Sequence, residues 1–445
     1  MSGAWLPVGV LLELLAIVSG LDALSYLACG SFVCYFTLAF RQLERYAQLL
    51  AVVTMLCLLA VTLTGRMTPQ RLSGAIEAAA FYAGFLGSLG QMQCLVRRFD
   101  ALRRIHDILL GGRPLWLYPK YALASCTMAS VLNFGMMNVL CGGLTETLDQ
   151  RGIHYPQRLE WLRCLLGVTL RGFALVPLIA PTSVAVAIVT REVPALTWAS
   201  LLPYTALVAG TFLLIGWGLE QHRFVAISGQ RVRLERAPAG TMTLMVLIGV
   251  LLTAMGGIVA TTELNVSRAA MLMVPGVSVG FLLLAERRPQ ETAREVAANT
   301  VALRNEMCIF ASSAALGSVL ASLIPVELID PALLSAHHEL ALAVAGMLIL
   351  PAAAALGIAP IAVLSFLAGV LSRVQEADVS VLTIGTGLVV GFSLAMMLSP
   401  FGPSAMTLAR FGRISKYTVA FGWNAPFALV CLPPIMTLLA LMAWL

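Results

Sequence analysis

Between Tyr46 and Thr64 the chain carries no charged side chain, and apolar runs of this kind recur along its whole length. A helix needs about 20 apolar residues to cross the hydrocarbon core of a bilayer. Repeated runs near that length are the signature of a polytopic helical membrane protein. Composition agrees: charged residues make up 11%, and the mean hydropathy is +0.90. A soluble domain carries about 25% charged residues, because its surface needs them. The same apolar content excludes a disordered chain. The formal net charge of +6 does not point to nucleic acid. Its basic residues fall in short loops between apolar runs, where the positive-inside rule places them.

Spans are read at about 4–20, 22–40, 46–64, 72–95, 164–190, 199–219, 241–261, 268–285, 299–324, 379–412 and 417–443. The expected fold is therefore all-α, with about 11 transmembrane helices. The opening run has no Lys or Arg before it and contains Glu13, so it reads as a first span and not as a cleaved signal. Two further apolar stretches, 114–143 and 338–373, have interrupted interiors. The stretch RRFDALRRIHD at 97–107 reads as an interfacial helix on the inner leaflet. A basic linker occupies 220–240, with Arg223, Arg231, Arg233 and Arg236. Nine cysteines are scattered singly, which suggests neither a zinc site nor a disulfide framework.

Basic residues orient the chain. With the N-terminus cytoplasmic and both interrupted stretches re-entrant, 22 of the 28 Lys and Arg fall inside and five outside, with Arg171 within a span. That asymmetry favours re-entrant hairpins over two full crossings. Reading 338–373 as two ordinary short spans is the alternative, and it spoils the charge pattern near Arg410 and Arg413. In the preferred layout the C-terminus is extracytoplasmic, and the membrane is a bacterial inner membrane.

The two halves echo each other. GFALVPLIAPTSVAVAIV begins at Gly172, and GFSLAMMLSPFGPSAMTL begins at Gly391. Gly172 and Gly391 are 219 residues apart, and so are Pro181 and Pro400. Each segment follows an interrupted stretch and precedes the last span of its half. Residues 22–219 and 241–445 are thus expected to form two inverted five-span repeats, each with a re-entrant hairpin (114–143 or 338–373) and a broken helix (164–190 or 379–412). Residues 1–21 are an added span. Inverted repeats with broken helices are a recurrent transporter architecture.

Proline removes a backbone donor and clashes with the preceding turn. Pro181-Thr182-Ser183 and the run Ser399-Pro400-Phe401-Gly402-Pro403-Ser404 should therefore unwind their spans. Free backbone at membrane depth has to be satisfied by protein, water or a ligand. A half-helix starting there presents its amide end, which favours an anion. The competing reading is a packing kink with hydroxyls bonded to the preceding turn. The first hairpin tip is expected around Ser130, Asn133 and Gly135, the second from Gly357 to Pro360. Arg171 either balances a solute carboxylate or snorkels to the inner surface. Glu77 and Glu306 hold similar early places in equivalent spans, as coupling carboxyls or as interfacial groups. His337 and His338 read as solvated loop residues.

With these features in place, the chain resembles the ion transporter superfamily. That group includes divalent anion/sodium symporters, arsenite permease-like proteins, citrate and lactate carriers, and the large membrane subunit of tripartite periplasmic (TRAP) transporters. The resemblance rests on layout and the two proline breaks, over about 22–443. None of the tips or breaks reads Ser-Asn-Thr, the motif by which divalent anion symporters hold sodium and carboxylate. The segment LGIAP at 356–360 looks like a loosened G-x-H-P turn with Ala359 at the histidine position. The resemblance implies secondary transport of a small anion, by an elevator movement within a homodimer.

The leading functional expectation is a secondary active carrier for a small anion, an organic acid, coupled to Na+ or H+ and needing no cofactor. The alternative is a TRAP-like membrane subunit served by an extracytoplasmic solute-binding protein. No nucleotide loop, H-E-x-x-H, G-x-S-x-G or C-x-x-C-H motif is present, so the sequence offers no basis for an enzyme and names no metal site.

Overall fold

The computed structural model describes residues 2–96, 98, 109, 113–132, 135–150, 157–228, 241–324, 338–373 and 381–444. Regular structure among them is entirely helical. Eight candidate spans are long and apolar enough to cross a membrane: Arg45–Leu63, Pro69–Leu95, Gln157–Glu192, Trp198–Ala226, Val266–Glu286, Arg304–Leu323, Val381–Gly412 and Thr418–Trp444. Five shorter apolar helices accompany them, Trp5–Ser19, Asp22–Leu38, Gly249–Thr261, Glu339–Ala355 and Pro360–Arg373. The chain is a multi-pass helical membrane protein.

Four helices open the fold: α1 (Trp5–Ser19), α2 (Asp22–Leu38), α3 (Arg45–Leu63) and α4 (Pro69–Leu89), the last followed by a short α5 (Met92–Val96). Local chemistry sets their ends. α1 stops at Gly20, whose φ of 69° reverses the chain at low cost. α4 starts with Pro69 in its first turn and with Thr68 Oγ1 accepting the Arg71 amide at 3.3 Å.

A helical pair follows, α6 (Leu117–Leu132) and α7 (Gly135–Gln150). Next come α8 (Gln157–Ala174), the single turn α9 (Val176–Ile179), α10 (Val184–Glu192) and the long α11 (Trp198–Ser228). The chain continues with α12 (Thr241–Thr261), α13 (Val266–Glu286), α14 (Pro289–Ala302) and α15 (Arg304–Leu323). A second pair, α16 (Glu339–Ala355) and α17 (Pro360–Arg373), leads to α18 (Val381–Leu398) and α19 (Pro403–Gly412). A wide-turned segment, Thr418–Asn424, runs into α20 (Ala425–Trp444).

Two packing centres result. In one, α15 lies against α4, α17 and α3. In the other, each interrupted helix lies along the first arm of the pair before it, α8 on α6 and α18 on α16. Glycine makes the second centre possible. A Cβ at Gly172 would lie 2.5 Å from the Ala122 carbonyl oxygen, and one at Gly391 would lie 2.7 Å from that of Met347. Small residues let backbones approach this closely in a bilayer, where packing drives helix association. Where α8 and α18 meet, Ser393 donates its hydroxyl to the Ala174 carbonyl, and these residues are also 219 positions apart.

Several boundaries differ from the sequence expectation. The first pair runs on to Gln150, past residue 143. α11 runs past residue 219 to Ser228. At about 1.5 Å per residue it exceeds a bilayer core of about 30 Å, and its extra turns carry Glu220 and Arg223, bonded at 3.1 Å. The expected span at 299–324 is divided between α14 and α15, with Leu303 between them. Asn133, His337, nearly all of the expected interfacial helix at 97–107 and the linker beyond Ser228 lie outside the described residues.

Candidate functional site

Both proline segments interrupt their helices. In the first, Ala180 (φ −81°, ψ 130°) and Ser183 (φ −71°, ψ 138°) are extended, and α10 begins at Val184. Ser183 caps α10, its Oγ accepting the Ala185 amide at 3.2 Å. In the second, α18 ends at Leu398, and extended Gly402 (φ −68°, ψ 143°) precedes α19, with Pro403 in its first turn. Proline at that position gives up an amide that would be unpaired anyway.

Each break is fastened to the helical pair of its own half. Thr182 Oγ1 donates to the Ser130 carbonyl at 2.7 Å, near the end of α6. Ser399 Oγ donates to the Ala354 carbonyl at 3.1 Å, near the end of α16. Ser404 Oγ donates to the Met396 carbonyl at 3.3 Å. The second pair turns over Leu356–Ala359 with Gly357 at φ 92°, a conformation that favours glycine. Tyr46 donates to the Gly357 carbonyl at 3.3 Å, which fixes this turn against the start of α3.

The two breaks share one cavity. From the first interrupted helix its wall takes Phe173, Val176, Pro177, Thr182, Ser183 and Val184. From the second it takes Phe392, Ala395, Met396, Phe401, Gly402 and Pro403. Each residue of the second set stands 219 positions after one of the first. Ser399 and Ser404 add to this wall, and Ala359 and Pro360 bring the second turn to it. Glu306 and Phe310 of α15, with Tyr46 of α3, close another side. The wall is predominantly apolar. Glu306 Oε2 is buried there with no hydrogen-bond partner among the described residues.

Thus Thr182, Ser183, Pro360, Ser399, Gly402, Ser404 and Glu306 come together on one cavity, as a shared site requires. Pro181, Pro400, Ser130 and Gly357 are not among its lining residues; Ser130 and Gly357 act through their carbonyls.

Two charged candidates stand elsewhere. Arg171 is 5% exposed and does not line the cavity. It reaches Glu220 at 3.1 Å, Asn424 Oδ1 at 3.2 Å and the Trp423 carbonyl at 2.9 Å. Its guanidinium also lies 4.4 Å from the centroid of the Phe427 ring. Its charge is matched by Glu220 inside the protein, away from the cavity wall. Glu77 accepts from Tyr26 at 3.3 Å and lines a separate polar cavity with Glu13, Asp22, Arg191 and Arg268.

Tyr46 and the cavity's aromatic residues were not expected from sequence. For Phe173 and Phe392 a signal existed, since each follows one of the two glycines spaced 219 positions apart, Gly172 and Gly391. Tyr46 and Phe310 carry no comparable mark.

No protein-family model matches the chain, and no curated protein does either. The site is therefore read from its own geometry.

Proposed function

We propose that the chain is a secondary active carrier for a small organic anion, with the cavity between the two helix breaks as its solute site. One observation carries the reading: six residues from each interrupted helix, paired at a constant spacing of 219, line the same space. A single binding site at the join of two related halves suits alternating access, because moving the elements around it against the rest of the protein can expose it to either side. The hydrogen bond between Ser393 and Ala174 supports two-fold related halves, since equivalent positions meet only beside the axis that relates them. In this reading the halves are inverted repeats, 22–219 and 241–445. The pairs α6–α7 and α16–α17 are re-entrant hairpins.

The amide ends of α10 and α19 give the site its preference for negative charge. The excess of basic residues in one set of loops puts the N-terminus in the cytoplasm and the C-terminus outside a bacterial inner membrane. An elevator movement within a homodimer follows from the superfamily resemblance.

Transport into proteoliposomes, with sodium and proton gradients imposed separately, tests this function. Uptake of at least one organic acid under one of the two gradients is expected. Ser183→Ala should weaken solute binding several-fold while leaving the protein inserted and folded. Failure of mono-, di- and tricarboxylates, sulfate and arsenite under both gradients would remove the anion-carrier reading.

A further inference from the structure

We infer that the solute is an amphipathic monocarboxylate, and that it enters with one proton shared between its carboxylate and Glu306. The inference rests on the carrier reading and deepens it by naming the solute class and the coupling ion.

The cavity's polar inventory is short. Thr182, Ser399 and Ser404 spend their hydroxyl protons on the Ser130, Ala354 and Met396 carbonyls, and Tyr46 spends its own on the Gly357 carbonyl. Ser183 accepts from the Ala185 amide and keeps its proton to give. Among the described residues that line the cavity there is no Lys or Arg. Lys416 lies 4.0 Å from the centroid of the Phe401 ring and is not on the wall. Sulfate or a tricarboxylate would lose its hydration there with too few donors to replace it. An apolar body suits the remaining surface, which includes Phe173, Phe310, Phe392, Phe401 and Met396.

Charge sets the stoichiometry. The N-terminal ends of α10 and α19 each present about +0.5 elementary charge. Together they balance about one negative charge. That charge in the empty protein is assigned to the Glu306 carboxylate, whose buried Oε2 has no hydrogen-bond partner among the described residues. A bound monoanion takes over that role. Two carboxylates cannot both stay ionised in one apolar space, so one proton must enter with the anion. Binding takes up one proton from water, and no bond other than that O–H forms or breaks.

The groups around Glu306 fit this role. Glu44, just before α3, and Arg304, on its own helix, act on it electrostatically with opposite sign. Arg304 bonds the Gln42 carbonyl, and Tyr46 is the α3 group on the cavity wall. On α4, Glu77 belongs to the other cavity. On α17, Arg373 bonds the Ile324 carbonyl. On α14, Glu291 is paired with Arg288 and Glu295 with Arg98, and Arg294 is the remaining charge.

The test is binding to the purified full chain in weakly buffered detergent solution, which avoids passive permeation of the free acids. The probes are hexanoate, phenylacetate, succinate, sulfate and phenylethylamine, with bulk pH recorded on mixing. Hexanoate or phenylacetate should bind with uptake of one proton per molecule. Affinity should fall about tenfold per pH unit once Glu306 is ionised in the empty protein. Glu306→Gln should bind with no proton uptake and without that pH dependence. Wild-type proton uptake stands alone as evidence if the variant does not fold.

Preference for succinate or sulfate, binding of hexanoate without proton uptake, or binding of phenylethylamine with proton release would each overturn the inference. Binding of succinate or sulfate would leave the anion-carrier reading standing. Absence of binding by every anionic probe would remove both.

Discussion

Arg171 shows how a single residue divides structural from functional charge. Its guanidinium and the Glu220 carboxylate are both withdrawn from solvent, with side-chain exposures of 5% and 12%. Removing one member of such a pair leaves the other charge buried and uncompensated, at a cost of about 3–5 kcal/mol, whereas replacing both with apolar side chains of similar volume is often neutral. Arg171→Met should therefore lower thermal stability in detergent sharply. The double variant Arg171→Met with Glu220→Met should recover a substantial part of the loss. Arg223 softens the single-variant effect, since it bonds the other Glu220 oxygen at 3.1 Å. A double variant no more stable than the single one would show that the pair is not what Arg171 contributes.

At the scale of the element, the contact between each interrupted helix and its preceding pair carries the architecture. Gly172 and Gly391 permit that contact against the Ala122 and Met347 carbonyls. A methyl group at either position has no room without moving backbone, so Gly172→Ala and Gly391→Ala should each cost about 1–3 kcal/mol. Similar losses in detergent unfolding would bear out the matched packing, and a neutral effect at either glycine would count against it.

Both breaks and the turn at Leu356–Ala359 were legible in the sequence, because proline and glycine act locally and need no knowledge of distant contacts. The end of α11 was not, since Glu220 reads as a loop charge until Arg171, 49 positions earlier, is seen to hold it. The partners of Arg171 were hidden for the same reason: Asn424 and Trp423 lie 253 and 252 positions away. Glu306 was legible as an ionisable group in an apolar span. Its place on the cavity wall depends on how α15 packs, which no local pattern encodes.

For the whole molecule, the central claim is that two related halves enclose one space. A helix break on its own has a modest explanation, since proline kinks are ordinary in membrane helices. Two breaks that contribute residues at a constant spacing of 219 to one wall favour the proposed paired halves over two separate kinks. Cysteine accessibility separates the possibilities most directly. In a background without the native cysteines, Phe173→Cys, Thr182→Cys, Phe392→Cys and Phe401→Cys would be treated with a small, membrane-impermeant thiol reagent, in sealed vesicles of both orientations. The account predicts that all four positions react, although they lie within long apolar segments, and that a bound solute protects all four together. Reaction at one break alone, or at neither, would contradict it.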